Sequence, residues 1–350
     1  MDNKKVMVAM SGGVDSSVAA VLLKQQNFEV LGGTLRLFEK ENKETPEVAM
    51  AKDVCQKLSL EHYTFDKREL FRQKVIDSFS DYYEKGLTPN PCIECNKHIK
   101  FGALLDEALN LGCNYIATGH YSRITKDATS GKYALIRPED RKKDQTYVLW
   151  RLTQNQLSHI LMPLGDYKKD EVRAIAEEYG FLSAKAKESQ DICFVPDGDY
   201  AKFLKTFCDV EFFEGDYVDI NGNFLGKHLG HQNYTIGQRK GLGIALGKPQ
   251  FVINKDAKSN KVVLSDEEYL FKKRVYVTEV NIMSGEKQAV FNCTAKCRYS
   301  AKDIPCRVEM IDDNSAVLEF SEAVRAPSYG QSAVFYDGEV LLGGGIISKE

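Results

Sequence analysis

Ser11-Gly12-Gly13-Val14-Asp15-Ser16-Ser17 stands between an apolar run and a segment of helical periodicity, and no other stretch constrains the fold as much. A strand must feed a turn tight enough to need glycine, and the helix behind it must aim its first amides at whatever lies over the turn. Glycine lets backbone N–H groups close on phosphate oxygens. The helix terminus adds partial positive charge, and the serine hydroxyls add donors. The lysine-bearing Walker pattern is absent, so this is a different phosphate loop. The residues by themselves support phosphate binding and leave a plain strand–helix connection as the alternative.

The first 120 residues keep this rhythm. Strands are expected at 5–10, 28–38, His62–Asp66 and 113–119, and helices at 16–26, 46–58, 68–83 and 99–111. Val18, Val21 and Leu22 share one face of the first helix. Such alternation predicts an α/β fold with a parallel sheet, helices on both faces, and ligands at the carboxyl ends of the strands. Residues 122–137 read as a hairpin, and a helix at 168–179 carries the first domain to about residue 205. Glycines and short strands then fill 211–263, and β segments recur about every ten residues from 274 to 348, as in a small barrel or sandwich. The 350 residues therefore divide into a catalytic domain (1–205), a small central linker domain (206–272) and a C-terminal β-barrel (273–350).

Composition narrows the function classes. A chain 43% hydrophobic and 28% charged packs as a globular protein, and a net charge of −3 excludes a generally basic nucleic-acid binder. Any RNA contact must come from a local patch of Lys and Arg. No signal peptide and no run of about 18 apolar residues is present, so a cytoplasmic protein without a membrane partner is expected. Nine cysteines in that setting are not a disulfide framework.

Two cysteines draw attention by spacing. Cys92 and Cys95 form a CxxC in a proline-flanked loop expected just before a helix, where two thiols can meet one metal or act as a redox pair. Cys193 lies between Ile192 and Phe194, a setting equally suited to a buried residue. Cys293, Cys297 and Cys306 lack a fourth ligand at zinc spacing and read as packing, as do Cys55, Cys113 and Cys208. His62, His98, His159 and His228 have no partner at ligand spacing. Residues 234–243 combine glycines with Arg239 and Lys240, and either hold phosphates or form a solvated turn. Arg298-Tyr299 joins a phosphate-binding guanidinium to a stacking ring, a pairing suited to RNA.

Taken in order, SGGVDSS, NPCIECNKHIKF (90–101), ATGHY (117–121), KDQTYVLW (143–150), ESQDICFVPDGDY (188–200), YTIGQRKGLGIA (234–245) and GQSAVFYDGEVLLGGG (330–345) resemble the tRNA-specific 2-thiouridylases, the MnmA family. The resemblance covers nearly the whole chain, and its phosphate loop is that of the PP-loop ATP pyrophosphatases.

The resemblance implies a PP-loop domain, a central domain and a β-barrel. It implies ATP with Mg²⁺, adenylation of oxygen 2 of the wobble uridine of tRNA, and sulfur transfer with release of AMP and pyrophosphate. On it, Ala9, Met10, Ser11, Gly12, Gly13, Val14, Asp15 and Ser16 hold ATP, and Leu35 and Gly119 line its pocket. Asp15 is a Mg²⁺ ligand or stands behind one. Cys193 carries a persulfide and Cys95 is its catalytic partner. Asn90, Pro91 and Cys92 face the target base, while His120, Lys143, Asp144, Gln145, Arg298, Tyr299 and Gln331 touch tRNA. A cysteine desulfurase or a sulfur relay protein is expected as the sulfur donor, and a monomer is expected. Family members commonly carry Asp where this chain has Cys92. Three thiols (Cys92, Cys95, Cys193) therefore open a second route through a 4Fe-4S cluster. A small-molecule adenylating synthetase and a non-catalytic RNA-binding or iron–sulfur sensing protein are the competing classes.

Overall fold

The computed structural model describes residues 4–38, 45–182, 192–195, 197–286 and 288–349. Residues 188–191 and Pro196 of the Cys193 motif lie outside the described residues. The first half carries seven strands: β1 (Lys5–Ala9), β2 (Glu29–Arg36), β3 (His62–Asp66), β4 (Tyr115–Ala117), β5 (Arg123–Lys126), β6 (Tyr133–Ile136) and β7 (Ile160–Leu161). Five of them form a parallel sheet in the order β3-β2-β1-β4-β7. Val6, Met7 and Val8 are fully buried, as a central parallel strand covered on both faces must be.

Helix α1 (Val14–Gln25) departs from the one-faced reading. Ser16 through Leu23 are all buried, because α1 lies between the sheet and the helix Lys169–Glu178. Val172 and Ala176 of that helix share a core with Val18, Val21 and Leu22. A helix covered all round needs no polar stripe. The helix expected at 99–111 begins eight residues earlier, at Pro91. Asn90 caps it by accepting from the Cys92 amide at 3.2 Å, and Pro91 suits the first helical position. Cys92 and Cys95 are thus helical rather than in a loop. The next stretch, Cys95–Ala103, is wound as a π-helix before α-helix resumes at Leu104–Asn110.

Strands β8 (Gly215–Val218), β9 (Phe224–His228), β10 (Phe251–Asp256) and β11 (Lys261–Ser265) make a small sheet ordered β10-β11-β8-β9. Six more follow: β12 (Phe271–Ile282), β13 (Val290–Lys296), β14 (Ile304–Met310), β15 (Ser315–Arg325), β16 (Ser332–Asp337) and β17 (Val340–Ser348). They run in the order β12-β15-β14-β13-β16-β17 and close through β12–β17 pairing into a barrel without free edges. The β5–β6 hairpin, expected as part of the first domain, pairs with β17 through Ile136↔Val340 and Leu135↔Leu341.

Barrel and catalytic sheet share one core. Trp150, fully buried, donates to Ser332 Oγ at 3.1 Å, and Tyr147 donates to the Ser332 carbonyl at 2.8 Å. Val334, Tyr336, Leu341 and Ile346 of the barrel pack in the same cluster as Met7, Ile116 and Trp150. A Cβ on Gly344 would lie 2.9 Å from Trp150 Cδ2, so the indole demands glycine there. Among the described residues no helix is long and apolar enough to cross a membrane.

Candidate active site

β1 ends at Ala9 and α1 begins at Val14, which leaves four residues for the turn. Gly12 takes φ +73°, and a Cβ there would meet the Glu47 carbonyl and Met50 Cβ at 2.9 Å each. Ser16 and Ser17 donate back to the Gly13 carbonyl at 3.1 and 2.9 Å, and the Ser11 amide donates to Ser16 Oγ. Gly13 is the N-cap and no side chain caps the helix. The first amides of α1 therefore face the turn without an internal acceptor, the arrangement that receives an anion.

Gly119, at the end of β4, presses against that helix start. A Cβ on it would stand 2.7 Å from Asp15 Cβ and 2.8 Å from the Ser16 amide nitrogen. Asp15 Oδ1 accepts from Lys169 Nζ at 2.6 Å and from the Tyr121 hydroxyl at 2.9 Å. Lys169 is buried and also lies over the Tyr121 ring. Neither residue is expected from the sequence. Lys169 opens a helix 154 positions away, and its spacing from Asp15 carries no signal.

The thiol-bearing helix is tied to this turn through Leu35 and His120. Leu35, from β2, packs against the cluster that holds Cys95 and Phe194. His120 follows Gly119 and stacks obliquely on Phe101 of the thiol-bearing helix, 5.8 Å between centroids. Thr118 Oγ1 holds His120 Nδ1 at 2.7 Å, and burial, with the Lys100 charge adding to it, keeps this imidazole neutral. Cys92 and Cys193 reach solvent, whereas Cys95 is buried. Burial raises all three thiols, Cys95 to about 12, while the Lys100 ammonium pulls each of them down. The thiols sense one another as well, Cys95 with both Cys193 and Cys92. Among the described residues no three His, Cys, Asp or Glu side chains are grouped to hold a metal ion.

The barrel supplies the rest of the rim. Gln331 donates to the carbonyls of Thr88 and Pro89 at 3.0 Å each and so fixes the segment leading to Asn90. Gly330, at φ +89°, approaches Leu87 and Thr88 to 3.0 Å from its would-be Cβ. Tyr299 is 47% exposed, edge-on to Tyr147 at 5.9 Å, and its hydroxyl feels both Asp144 and Cys92. An accessible ring beside a thiol is a platform for a splayed base. Asp144 accepts from Thr146 and from Arg137, and Gln145 accepts from the Tyr121 amide at 2.9 Å. Both side chains are held by the fold, and Lys143 is half-buried beside them. Arg298 stands apart: Nε donates to the Ala326 carbonyl at 3.0 Å, and Nη2 to the Ile236 carbonyl and Ser328 Oγ at 2.7 Å. Among the cysteines away from the site, Cys293 and Cys306 face each other across β13 and β14 with sulfurs 3.5 Å apart.

These features define a class, an α/β nucleotide-binding domain of the HUP type with two small β units behind it. A family model described as "tRNA methyl transferase HUP domain" matches residues 4–197, a "PRC-barrel domain" of the same name matches 201–266, and an "Aminomethyltransferase beta-barrel domain" matches 272–347. More narrowly, the chain belongs to the family of the tRNA-specific 2-thiouridylases MnmA. It is 49% identical to the member from Clostridioides difficile, with 99% of both chains covered. It is 47% identical to the one from Carboxydothermus hydrogenoformans, covering 99% of this chain and 98% of that one. The relative from Acetivibrio thermocellus is 46% identical, covering 99% of this chain and all of its own length.

Proposed function

We propose that this chain is a tRNA-uridine 2-sulfurtransferase, which uses ATP to activate the wobble uridine and then replaces its oxygen 2 with sulfur. The observation that carries the reading is an uncapped phosphate turn tied through Gly119 and His120 to the helix that bears Cys92 and Cys95, with Leu35 packed on the cluster that holds Cys95. Full-length relatives bearing the thiouridylase name support it. The methyl transferase wording of the family models is less apt, because methyl transfer gives a thiol-bearing helix tied to a phosphate turn no evident task.

Residues 9–16 cradle ATP, with Leu35 and Gly119 against the nucleotide. Asp15 fits a Mg²⁺ role in part: Oδ1 is taken by Lys169 and Tyr121, which leaves Oδ2 for an ion that needs only one or two protein carboxylates. Such an ion neutralises charge on the departing pyrophosphate. A uridine carbonyl carbon is a poor electrophile, so oxygen 2 attacks the α phosphorus and pyrophosphate leaves. The terminal sulfur of a persulfide on Cys193 attacks carbon 2, and AMP departs with the old oxygen. Cys95 thiolate then attacks the Cys193 sulfur, the S–S bond breaks toward the nucleoside, and a Cys95–Cys193 disulfide remains. A dithiol reductant restores both thiols. Exposure of Cys193 suits loading by a cysteine desulfurase or relay protein, and burial of Cys95 suits a resolving role protected from other oxidants. In this reading residues 1–205 do the chemistry, 206–272 link, and 273–350 help hold tRNA, in a monomeric cytoplasmic enzyme.

The test is incubation with ATP, Mg²⁺, a persulfide donor and a tRNA transcript bearing a wobble uridine, with 2-thiouridine and pyrophosphate both quantified. Cys193→Ser is expected to abolish 2-thiouridine. Thiolation that survives in Cys193→Ser would sink the persulfide route.

A further inference from the structure

The glycine-rich segment 234–243 is not part of the site just described, yet its backbone is firmly held. Gly237 donates to the Val252 carbonyl at 2.7 Å, and the Val252 amide returns a bond to the Gln238 carbonyl at 3.0 Å. Gln238 Oε1 accepts from the Thr235 amide at 3.0 Å, and its Nε2 donates to the Lys240 carbonyl at 3.0 Å. From the barrel side Arg298 binds the Ile236 carbonyl, so the loop is pinned to two units at once. A guanidinium with its donors on backbone carbonyls positions this loop.

At the tip the next two side chains are cations in water. Arg239 and Lys240 are exposed, and among the described residues neither makes an ion pair or a side-chain hydrogen bond. With Gly237, Gln238, Phe251, Glu267 and Arg325 they line an open hollow of about 590 Å³. Glu267 is already paired with Arg325 at 3.0 Å, so the hollow keeps two uncompensated positive charges. A second hollow of about 530 Å³ shares Gly237 and Gln238 and runs on to Tyr200. Tyr200 packs in the same cluster as Cys95 and Phe194. Tyr200 thus ties the second hollow to the core behind Cys95, while the cationic loop stands at the outer end, on a chain whose net charge is −3.

We infer that the 235–240 loop is a phosphate clamp for the tRNA backbone, with Arg239 and Lys240 holding the polyanion outside the nucleotide being modified. The inference rests on the thiolation reading. Two unpaired cations held on a rigid loop, in a chain otherwise acidic, match a polyphosphate backbone: the loop geometry costs little to order, and the carboxylate of the hollow, Glu267, is already paired with Arg325.

The experiment measures binding of a wobble-uridine tRNA transcript to the full chain across a salt series, for wild type, Arg239→Ala/Lys240→Ala, and Arg239→Lys/Lys240→Arg. Loss of two phosphate contacts is expected to lower the slope of log K against log salt by roughly 1.4 to 1.8 and to weaken binding about 10- to 30-fold at physiological salt. The charge-preserving variant should restore most of both. Unchanged slope and affinity in the double alanine variant would overturn the clamp. So would unchanged tRNA binding with loss only of sulfur loading from a donor protein, which would make the loop a protein-docking surface. Failure of the wild type to bind tRNA at all would instead overturn the thiolation reading and take the clamp with it.

Discussion

Replacing Gly119 with alanine isolates the geometry of the phosphate turn. Gly119 has no left-handed backbone angle, so alanine meets no conformational strain there. On backbone grounds alone the change should stabilise the protein by about 0.4–1 kcal/mol, by narrowing the unfolded ensemble. The structure predicts the opposite sign. The added Cβ would sit 2.7 Å from Asp15 Cβ and 2.8 Å from both the Asp15 carbonyl carbon and the Ser16 amide nitrogen. Two of those three atoms are backbone of α1, so no side-chain rotation relieves the clash. Restoring an ordinary contact of 3.4 Å requires 3.4 − 2.7, or 0.7 Å, of separation between β4 and the start of α1. Overpacking of this kind costs about 1–3 kcal/mol. The same shift moves the amides that face the phosphates, and a misplacement near 1 Å can cost on the order of 100-fold in rate. The assay is tRNA-dependent pyrophosphate release with thermal melting of the same sample. A Gly119→Ala protein that melts higher than wild type and releases pyrophosphate at an undiminished rate would refute the claimed contact.

Three further outcomes are expected. Iodoacetamide should label Cys92 and Cys193 well before Cys95, because only the first two reach solvent and burial holds the Cys95 thiol near 12; peptide mass spectrometry gives the order. Lys255 is buried, donates to the Tyr234 carbonyl at 2.7 Å, and is lowered by burial to about 7 from its ordinary 10.5. Between those values the unfolded chain holds a proton that the folded one has released, so this group makes stability rise with pH from about 7 to 10.5. A comparison of melting temperatures for wild type and Lys255→Met across that range should show the rise only in wild type. Trp150→Ala removes the indole joining barrel to catalytic sheet, and denaturant unfolding should show a loss of about 3–5 kcal/mol.

The strands of the catalytic sheet and the phosphate turn are legible in the sequence, because both follow from local rules. Apolar runs alternating with helical periodicity imply a parallel sheet, and glycine between strand and helix implies a turn whatever surrounds it. The thiol-bearing helix, expected from residue 99, begins at Pro91, where Asn90 and Pro91 carry an N-terminal signal. Proline marks loops and first helical turns alike, so the residue type alone does not separate the two.

Other features had no local signal at all. Asp15 meets Lys169 and Tyr121, and Gln331 clamps the segment before Asn90, over 154, 106 and more than 240 positions. The β5–β6 hairpin joins the barrel at Val340 and Leu341, the start of β17 that β12 does not pair. Arg298 reads as an RNA-binding guanidinium in sequence, yet its donors reach the Ile236 and Ala326 carbonyls once the barrel has closed. The amino-acid sequence by itself determined what is local: which segments are strands, where glycine permits a turn, and which residue types carry sulfur and charge. Only the tertiary structure decided which of those charges stay free, which thiols are covered, and which distant backbones meet, because burial and long-range hydrogen bonds depend on chain packing.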